Sequence, residues 1–415
     1  MDHDQNRLPY IDALRGCAII MVILVHTSQA VPPLSPLAHV FAWAGQMGVQ
    51  LFFLASAYSL CFSQHEHGDT QNQTVGFYIR RYFRIAPLYY VAILFYGALA
   101  FLSAPNGIWA HTENYTAPTI AANTFLIQGF VPNGNNTVVP GGWSVGTEVA
   151  FYLVFPLLWT FVQAKKGQQT RRASMLLVAA LAISALHVVW LSAHGATVTN
   201  NSFAYFNIAN QLPVFALGIL SYVLWPKSKN ERFPITAVAL LCLFTGVSVL
   251  LAGKDIPFAF SLLPITAGLA FMQLLRILRA LPEIRWLQAV GRQSYSIFLF
   301  HFVFAWHVSK AAADVVGLHI PADALWLLLS AMALLGSHAV AVLMGSHVER
   351  IGIACGHALA RHLSRDQRAY KLRPINAVRR RALDVHVPLP RREQAVGLKP
   401  FMIPARRGER PTLHK

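Results

Sequence analysis

Charge is what this chain lacks most. Of its 415 residues only 12% are Asp, Glu, Lys or Arg, against 55% hydrophobic residues, and the mean hydropathy is +0.45. An ordinary soluble domain carries about twice that charged fraction, so the chain reads as one integral membrane body rather than several soluble domains. Cysteine is also scarce. Cys17, Cys61, Cys242 and Cys355 are scattered, form no CxxC pair and have no histidine at ligand spacing beside them, which excludes a disulfide framework and a zinc site. No Walker or dinucleotide glycine loop and no internal repeat is present. The first apolar run contains Asp12 and Arg15 and no small-residue cleavage site follows it, so it is expected to persist as a transmembrane helix rather than leave as a signal peptide.

What is abundant is apolar runs of about 20 residues, the length that crosses a bilayer as helix. They fall near Tyr10–Ala30, Trp43–Ser63, Tyr82–Leu102, Ser144–Phe161, Ala173–Ala193, Tyr205–Trp225, Pro234–Ala252, Pro257–Leu275, Ser294–Val308 and Ala324–Gly345. The expected fold is therefore all-α, a polytopic membrane protein of about ten transmembrane helices. Arg80, Arg81 and Arg84, then Lys165, Lys166, Arg171 and Arg172, then Lys227, Lys229 and Arg232, then Arg276, Arg279, Arg285 and Arg292 all fall on the side of the N-terminus, while Phe101 to Pro140 holds no Lys or Arg. That asymmetry predicts a cytoplasmic (inner) membrane protein with both termini cytoplasmic. Residues 1–348 are expected to form the membrane domain and 349–415 a basic cytoplasmic tail. Much of the net +17 lies in that tail; attraction to anionic lipid accounts for it without nucleic acid, for which no folded reading module is visible.

Four constellations carry candidate chemistry. Arg15 and His26 lie eleven residues apart on one helix, a spacing that returns to nearly the same face about 16 Å further on. Ionisable groups are costly in hydrocarbon, so such a pair points to a cavity or substrate path; the alternatives are a structural histidine and an ion pair of Arg15 with Asp12. The run Gly141-Gly142-Trp143-Ser144-Val145-Gly146-Thr147-Glu148 opens the fourth span. Ser144 is placed to cap that helix, and Glu148 at the depth of His26 to orient its imidazole; the alternative is a carboxylate complementing a helix N-terminus. Arg80, Arg81 and Arg84 cluster at the inner end of the third span, as phosphate binding or simple juxtamembrane charge would require. Finally Ser294-Tyr295-Ser296 and His301 enter the ninth span, where they line a cavity or bond to neighbouring helices.

In order, Asp12-Ala13-Leu14-Arg15-Gly16 with His26, Gly48 to Ser56, Arg80 to Pro87, Trp143-Ser144 with Glu148, and Ser294-Tyr295-Ser296 with His301 resemble the acyltransferase-3 family of integral membrane acyltransferases. The resemblance covers most of residues 10 to 345. It implies transfer of an acyl group, commonly acetyl from cytoplasmic acetyl-CoA or another acyl-CoA, to a hydroxyl of a cell-surface glycan or related acceptor, with no metal. It further implies functional roles for Arg15, His26, Arg81 and Arg84. In the second motif the family usually has Gly after the serine, where this chain has Ala57. On these grounds His26, Glu148 and Arg15 are the catalytic candidates. Arg80, Arg81 and Arg84 are expected to hold the donor, and Trp143, Ser144, Ser294, Tyr295 and His301 to line the substrate cavity. A proton-coupled transporter is the alternative class, since intramembrane His, Glu and Arg also build proton pathways.

Overall fold

A computed structural model of the chain describes residues 8–67, 73–103, 112–131, 134–193, 205–225, 233–252, 259–316 and 320–363. Among them there is no strand. The helices are α1 (Pro9–Ala30), α2 (Pro36–Ala44), α3 (Gly48–His67), α4 (Gln73–Leu102), α5 (Ala117–Thr124), α6 (Gly142–Gln163), α7 (Gln169–Ala193), α8 (Ile208–Leu224), α9 (Ile235–Ala252), α10 (Ala259–Ala280), α11 (Arg285–Arg292), α12 (Ser294–Phe302), α13 (Ser309–Val316) and α14 (Ala322–Met344). Among the described residues eight helical segments are long and apolar enough to cross a membrane, and the shorter apolar α8 and α9 bring the number to the ten runs read from sequence. The protein is an all-α polytopic membrane protein. Leucines such as Leu94, Leu157, Leu186 and Leu335 stay exposed on outward helix faces, as a lipid-facing surface requires.

α1 is the hub, touching α3, α11, α12, α14 and the π-helical turn Val303–Val308 that joins α12 to α13. Glycine permits the closest crossings. A Cβ on Gly291 would stand 1.7 Å from the Asp12 carbonyl oxygen, and one on Gly16 2.3 Å from that of Leu287, so the start of α1 and the interfacial α11 meet backbone to backbone. The second span differs from its expected start at Trp43. Ser35 accepts a hydrogen bond from the Ala38 N–H, Pro36 follows it, and a separate helix α2 forms before α3 begins at Gly48.

α14 also runs further than its apolar stretch. It passes through a π-helical turn, Gly345–Glu349, and stays helical to Leu363, across the boundary expected after residue 348. Its continuation buries a stripe of small residues, Gly352, Gly356 and Ala360. Cβ atoms on Gly352 and Gly356 would lie 2.6 Å from the Phe83 carbonyl oxygen and 2.7 Å from the Phe83 Cβ on α4. Pro87, inside α4, has no N–H for that Phe83 carbonyl, and α14 packs over the gap. A stripe of Gly and Ala adds little hydropathy, which is why the reading stopped short. Of the basic tail expected over 349–415, residues 364–415 lie outside the described residues, as do Lys227, Lys229 and Arg232.

Candidate functional site

Three cavities adjoin one another along α1. The one at the start of α1, termed inner after the sidedness expected from charge as the one at the far end of α1 is termed outer, is about 660 Å³ and is walled by Asp12, Arg15, Arg81, Arg84, Ser294 and Glu349 among others. Arg15, Ser59, Arg81, Arg84, Ser294 and Tyr295 are shared with a narrow central cavity of about 70 Å³ that also contains Ser56, Ser144, Glu148 and Tyr152. The central cavity shares Val49 and Phe298 with an outer one of about 610 Å³, where His26 lies. The arrangement has the outline of an hourglass, two wide chambers with a small waist cavity between them that shares wall residues with each.

Cations dominate the inner chamber. Arg15 donates to Ser59 Oγ (3.0 Å) and stands 3.8 Å from Asp12, so the ion pair and the cavity role of Arg15 coexist. Arg81 and Arg84, one helical turn apart on α4, face the same space. The Arg81 guanidinium lies 5.7 Å from the Phe77 ring and 5.9 Å from that of Tyr152, and its buried Nε has no hydrogen-bond partner. Glu349 accepts from Ser296 Oγ (2.8 Å) and, with Glu148 and Asp12, acts electrostatically on Arg84. Three half-buried guanidiniums share one space with one nitrogen unsatisfied, a donor set whose chemistry suits an anion. Arg80 is not part of it: on the neighbouring helical position its guanidinium lies near Gly76, outside both cavities. The cavity pair on α4 is Arg81 with Arg84.

Glu148 does not reach His26. Its Oε1 accepts from Ser56 Oγ and from Tyr152 Oη, each at 2.5 Å, which fixes the carboxylate in the waist. The sequence reading placed both at one depth by counting residues from their helix ends, and the tilt and offset of packed helices undo such a count. The partner of His26 is instead Gln29, one turn on, whose Oε1 lies 3.0 Å from Nδ1. A proton on Nδ1 satisfies that contact and leaves the Nε2 lone pair free. Packed against His26 are the rings of Phe302 (4.2 Å) and His301 (5.2 Å). His301 was expected to line the cavity. It is fully buried, with Nδ1 2.5 Å from the Phe298 carbonyl and Nε2 without a partner, and it sits behind His26.

The other candidates divide between the chambers. Ser294 and Tyr295 line the inner and central cavities, Tyr295 also donating to the Ile85 carbonyl (2.8 Å). Trp143 lines the outer one, stacked on Phe206 at 4.0 Å. Ser144 lines the waist but caps nothing, because Gly141 holds the cap position with φ +76° and Ser144 Oγ donates back to its carbonyl (3.0 Å). A Cβ on Gly142 would lie 2.6 Å from Tyr89 Oη; that hydroxyl accepts from Gln128 (2.9 Å) and donates to Asn123 (2.7 Å), which positions the start of α6. Ser56, Tyr152, Gln29 and Glu349 were missed. Tyr152 and Gln29 stand one turn from Glu148 and His26, a local signal that was available; Ser56 and Glu349 come from distant elements. Ala57, where the family usually has Gly, faces a glycine across the helix pair: a Cβ on Gly218 would be 2.7 Å from that of Ala57. Among the described residues no cluster of His, Cys, Asp and Glu could hold a metal.

An acyltransferase domain, acyltransferase family 3, matches residues 8–345. The peptidoglycan O-acetyltransferase OatA of Listeria monocytogenes is 23% identical over 333 residues, covering 72% of this chain and 50% of that protein. The membrane-bound transacylase BcsY of Komagataeibacter xylinus, a putative assignment in its own name, is 27% identical over 316 residues, 72% of this chain and 73% of its own. The acyltransferase MdmB of Streptomyces mycarofaciens is 29% identical over 171 residues, 38% and 40% of the two chains. The chain thus spans about half the length of the Listeria relative, and no solved structure matches it. With the family match running through residues 8–345, the chain belongs to the acyltransferase-3 family of multi-pass membrane proteins.

Proposed function

We propose that this protein is an O-acyltransferase that takes an acyl group, acetyl in the first instance, from acyl-CoA at the cytoplasmic face and delivers it to a hydroxyl of a cell-surface glycan at the outer face. The observation that carries this reading is the hourglass: an arginine-rich chamber at one end, His26 in a chamber at the other, and a waist too narrow for a nucleotide or a sugar between them. CoA has the matching shape, a phosphorylated nucleotide head on a thin linear arm. Arg15, Arg81 and Arg84 would hold the phosphates, bidentate and charge-assisted. The arm would extend through the waist past Ser56, Glu148 and Tyr152.

At the outer end His26 acts as general base. With Nδ1–H held by Gln29, Nε2 takes the proton of the acceptor hydroxyl. The oxygen attacks the thioester carbonyl, the C–S bond breaks, and the thiolate recovers the proton from the imidazolium to leave as free CoA. Glu148 serves the waist and not the imidazole. The positive inner end implies that this chamber faces the cytoplasm, in a bacterial type of inner membrane, with both termini on that side. The basic segment after Leu363 would then lie against anionic headgroups.

Purified protein in proteoliposomes, supplied with acetyl-CoA and a panel of glycan acceptors, tests the reading. CoA release that needs an acceptor and falls about 10²- to 10⁴-fold in His26→Ala, the usual worth of a general base, supports it. Undiminished release by His26→Ala overturns the mechanism. Absence of release with every acceptor and acyl-CoA overturns the function and returns the transporter reading.

A further inference from the structure

The outer chamber has its own chemistry, distinct from that of the inner one. Among its lining residues there is no Lys, Arg, Asp or Glu. The segments on the same side are poor in cations: Phe101 to Pro140 has no Lys or Arg, neither has His194 to Ala204, and the exceptions are Lys254, outside the described residues, and Lys310, which does not line the cavity. The walls are aromatic and amide. Trp43 on α2 and Trp306 on the π-helical turn line the cavity, and Trp306 remains 40% exposed. Gln46 contributes a side-chain nitrogen that is buried and has no acceptor. Asn136 and Gln29 add two amides, the first accepting from the Gly141 N–H (2.7 Å), the second engaged with His26.

Each element of this lining suits one ligand class. Indole faces carry negative π-density that attracts the weakly positive C–H face of a pyranose ring. A buried amide donor without an acceptor is a cost until a ligand oxygen satisfies it, and a sugar hydroxyl or ring oxygen can do so. A carboxylate or phosphate entering the same space would lose its hydration with no Lys or Arg in the wall to compensate, only the imidazoles of His26 and His39. The π-helical turn Val303–Val308 carries Trp306, which lines the cavity together with Phe302, and such turns gather at functional sites.

Resting on the acyl transfer proposed above, we infer that the outer chamber selects an uncharged sugar residue as acceptor, stacked on Trp306 and Trp43 with a ring or hydroxyl oxygen on Gln46, and discriminates against anionic sugars.

A matched pair of probes tests this: a neutral β-linked hexose tetrasaccharide, and the same backbone with its C6 groups oxidised to carboxylates on alternate residues so that free hydroxyls remain in both. CoA release from acetyl-CoA is measured against each, for wild type, Trp306→Phe, Trp306→Ala and Gln46→Lys. The expected result is a preference of at least about tenfold in acceptor half-saturation for the neutral probe. Trp306→Ala should raise that half-saturation about tenfold with the acetyl-CoA half-saturation unchanged, and Trp306→Phe should restore most of it. Gln46→Lys should shift preference toward the oxidised probe, a change that mere loss of folding cannot produce. Equal or better use of the oxidised probe by wild type overturns the inference while leaving acyl transfer in place. An unaltered preference in Gln46→Lys, with activity retained, also overturns it. Release with neither probe nor any other acceptor removes the acyl-transfer reading and this inference with it.

Discussion

At the scale of single residues, the waist is where charge, hydrogen bonding and position are most tightly linked. Glu148 accepts two 2.5 Å hydrogen bonds, from Ser56 and Tyr152, and faces the same cavity as three guanidiniums. Its carboxylate orders the waist and also opposes an anionic donor. Glu148→Gln is therefore expected to lower the turnover rate while leaving the acetyl-CoA half-saturation equal or lower, because one repelling charge is gone. A raised half-saturation would instead make Glu148 the residue that holds the arginines in place. Tyr152→Phe removes one buried bond and is expected to lower unfolding stability by roughly 1–3 kcal/mol, read as a shift in detergent-denaturant midpoint. Arg15 and His26 share a stripe that eleven-residue spacing alone reveals. Gln29 was within reach of the same argument, and Ser56 was not, since its pairing with Glu148 joins positions 92 residues apart.

At the scale of elements, glycine placement decides which helices touch. Gly291→Ala would drive a Cβ to 1.7 Å from the Asp12 carbonyl oxygen, against backbone on both sides, so α11 must leave α1. The expected outcome is loss of folded protein from the membrane fraction, with thermal stability of any remainder sharply lower. Gly246→Ala on α9 is the contrast: nothing lies within 4 Å of its added Cβ, and helix propensity predicts a gain of up to about 1 kcal/mol. Equal behaviour of the two variants in a thermal melt would show that the α1–α11 crossing is not as close as described. The junction of α1 with α2 has another fastening. Asp323 at the start of α14 accepts from the Leu34 and Ser35 N–H groups (2.7 and 3.1 Å), and this holds α2, with Trp43, against the outer chamber.

At the scale of the whole molecule, the two chambers should respond differently to salt. Phosphate binding by Arg15, Arg81 and Arg84, as proposed above, would be electrostatic and partly screened, so raising ionic strength is expected to increase the acetyl-CoA half-saturation. The uncharged outer chamber predicts an acceptor half-saturation that stays flat. A parallel rise in both would place charge recognition in the outer chamber as well. Sidedness has its own check: single cysteines introduced at Arg292 and at Gln29 in a cysteine-free background should label from opposite faces of sealed vesicles. Labelling from the same face would remove the through-membrane route.

The sequence by itself determined the class of the molecule, because spanning a bilayer imposes a length and a polarity that ten apolar runs display one by one. It also displayed the stripe of Arg15 and His26, a property of a single helix whose periodicity is fixed, while for Arg81 and Arg84 it offered phosphate binding and juxtamembrane charge side by side. Tertiary structure alone decided which stripes meet. The assignment of Glu148 to Ser56 and Tyr152 rather than His26, the withdrawal of His301 behind His26, and the approach of Glu349 to Ser296 all depend on how far one helix slides past another. That offset is set by close packing at Gly16, Gly291, Gly218 and Gly352. A shift of a single turn, about 5.4 Å, leaves the apolar pattern of every helix unchanged and brings a different set of polar side chains into each cavity.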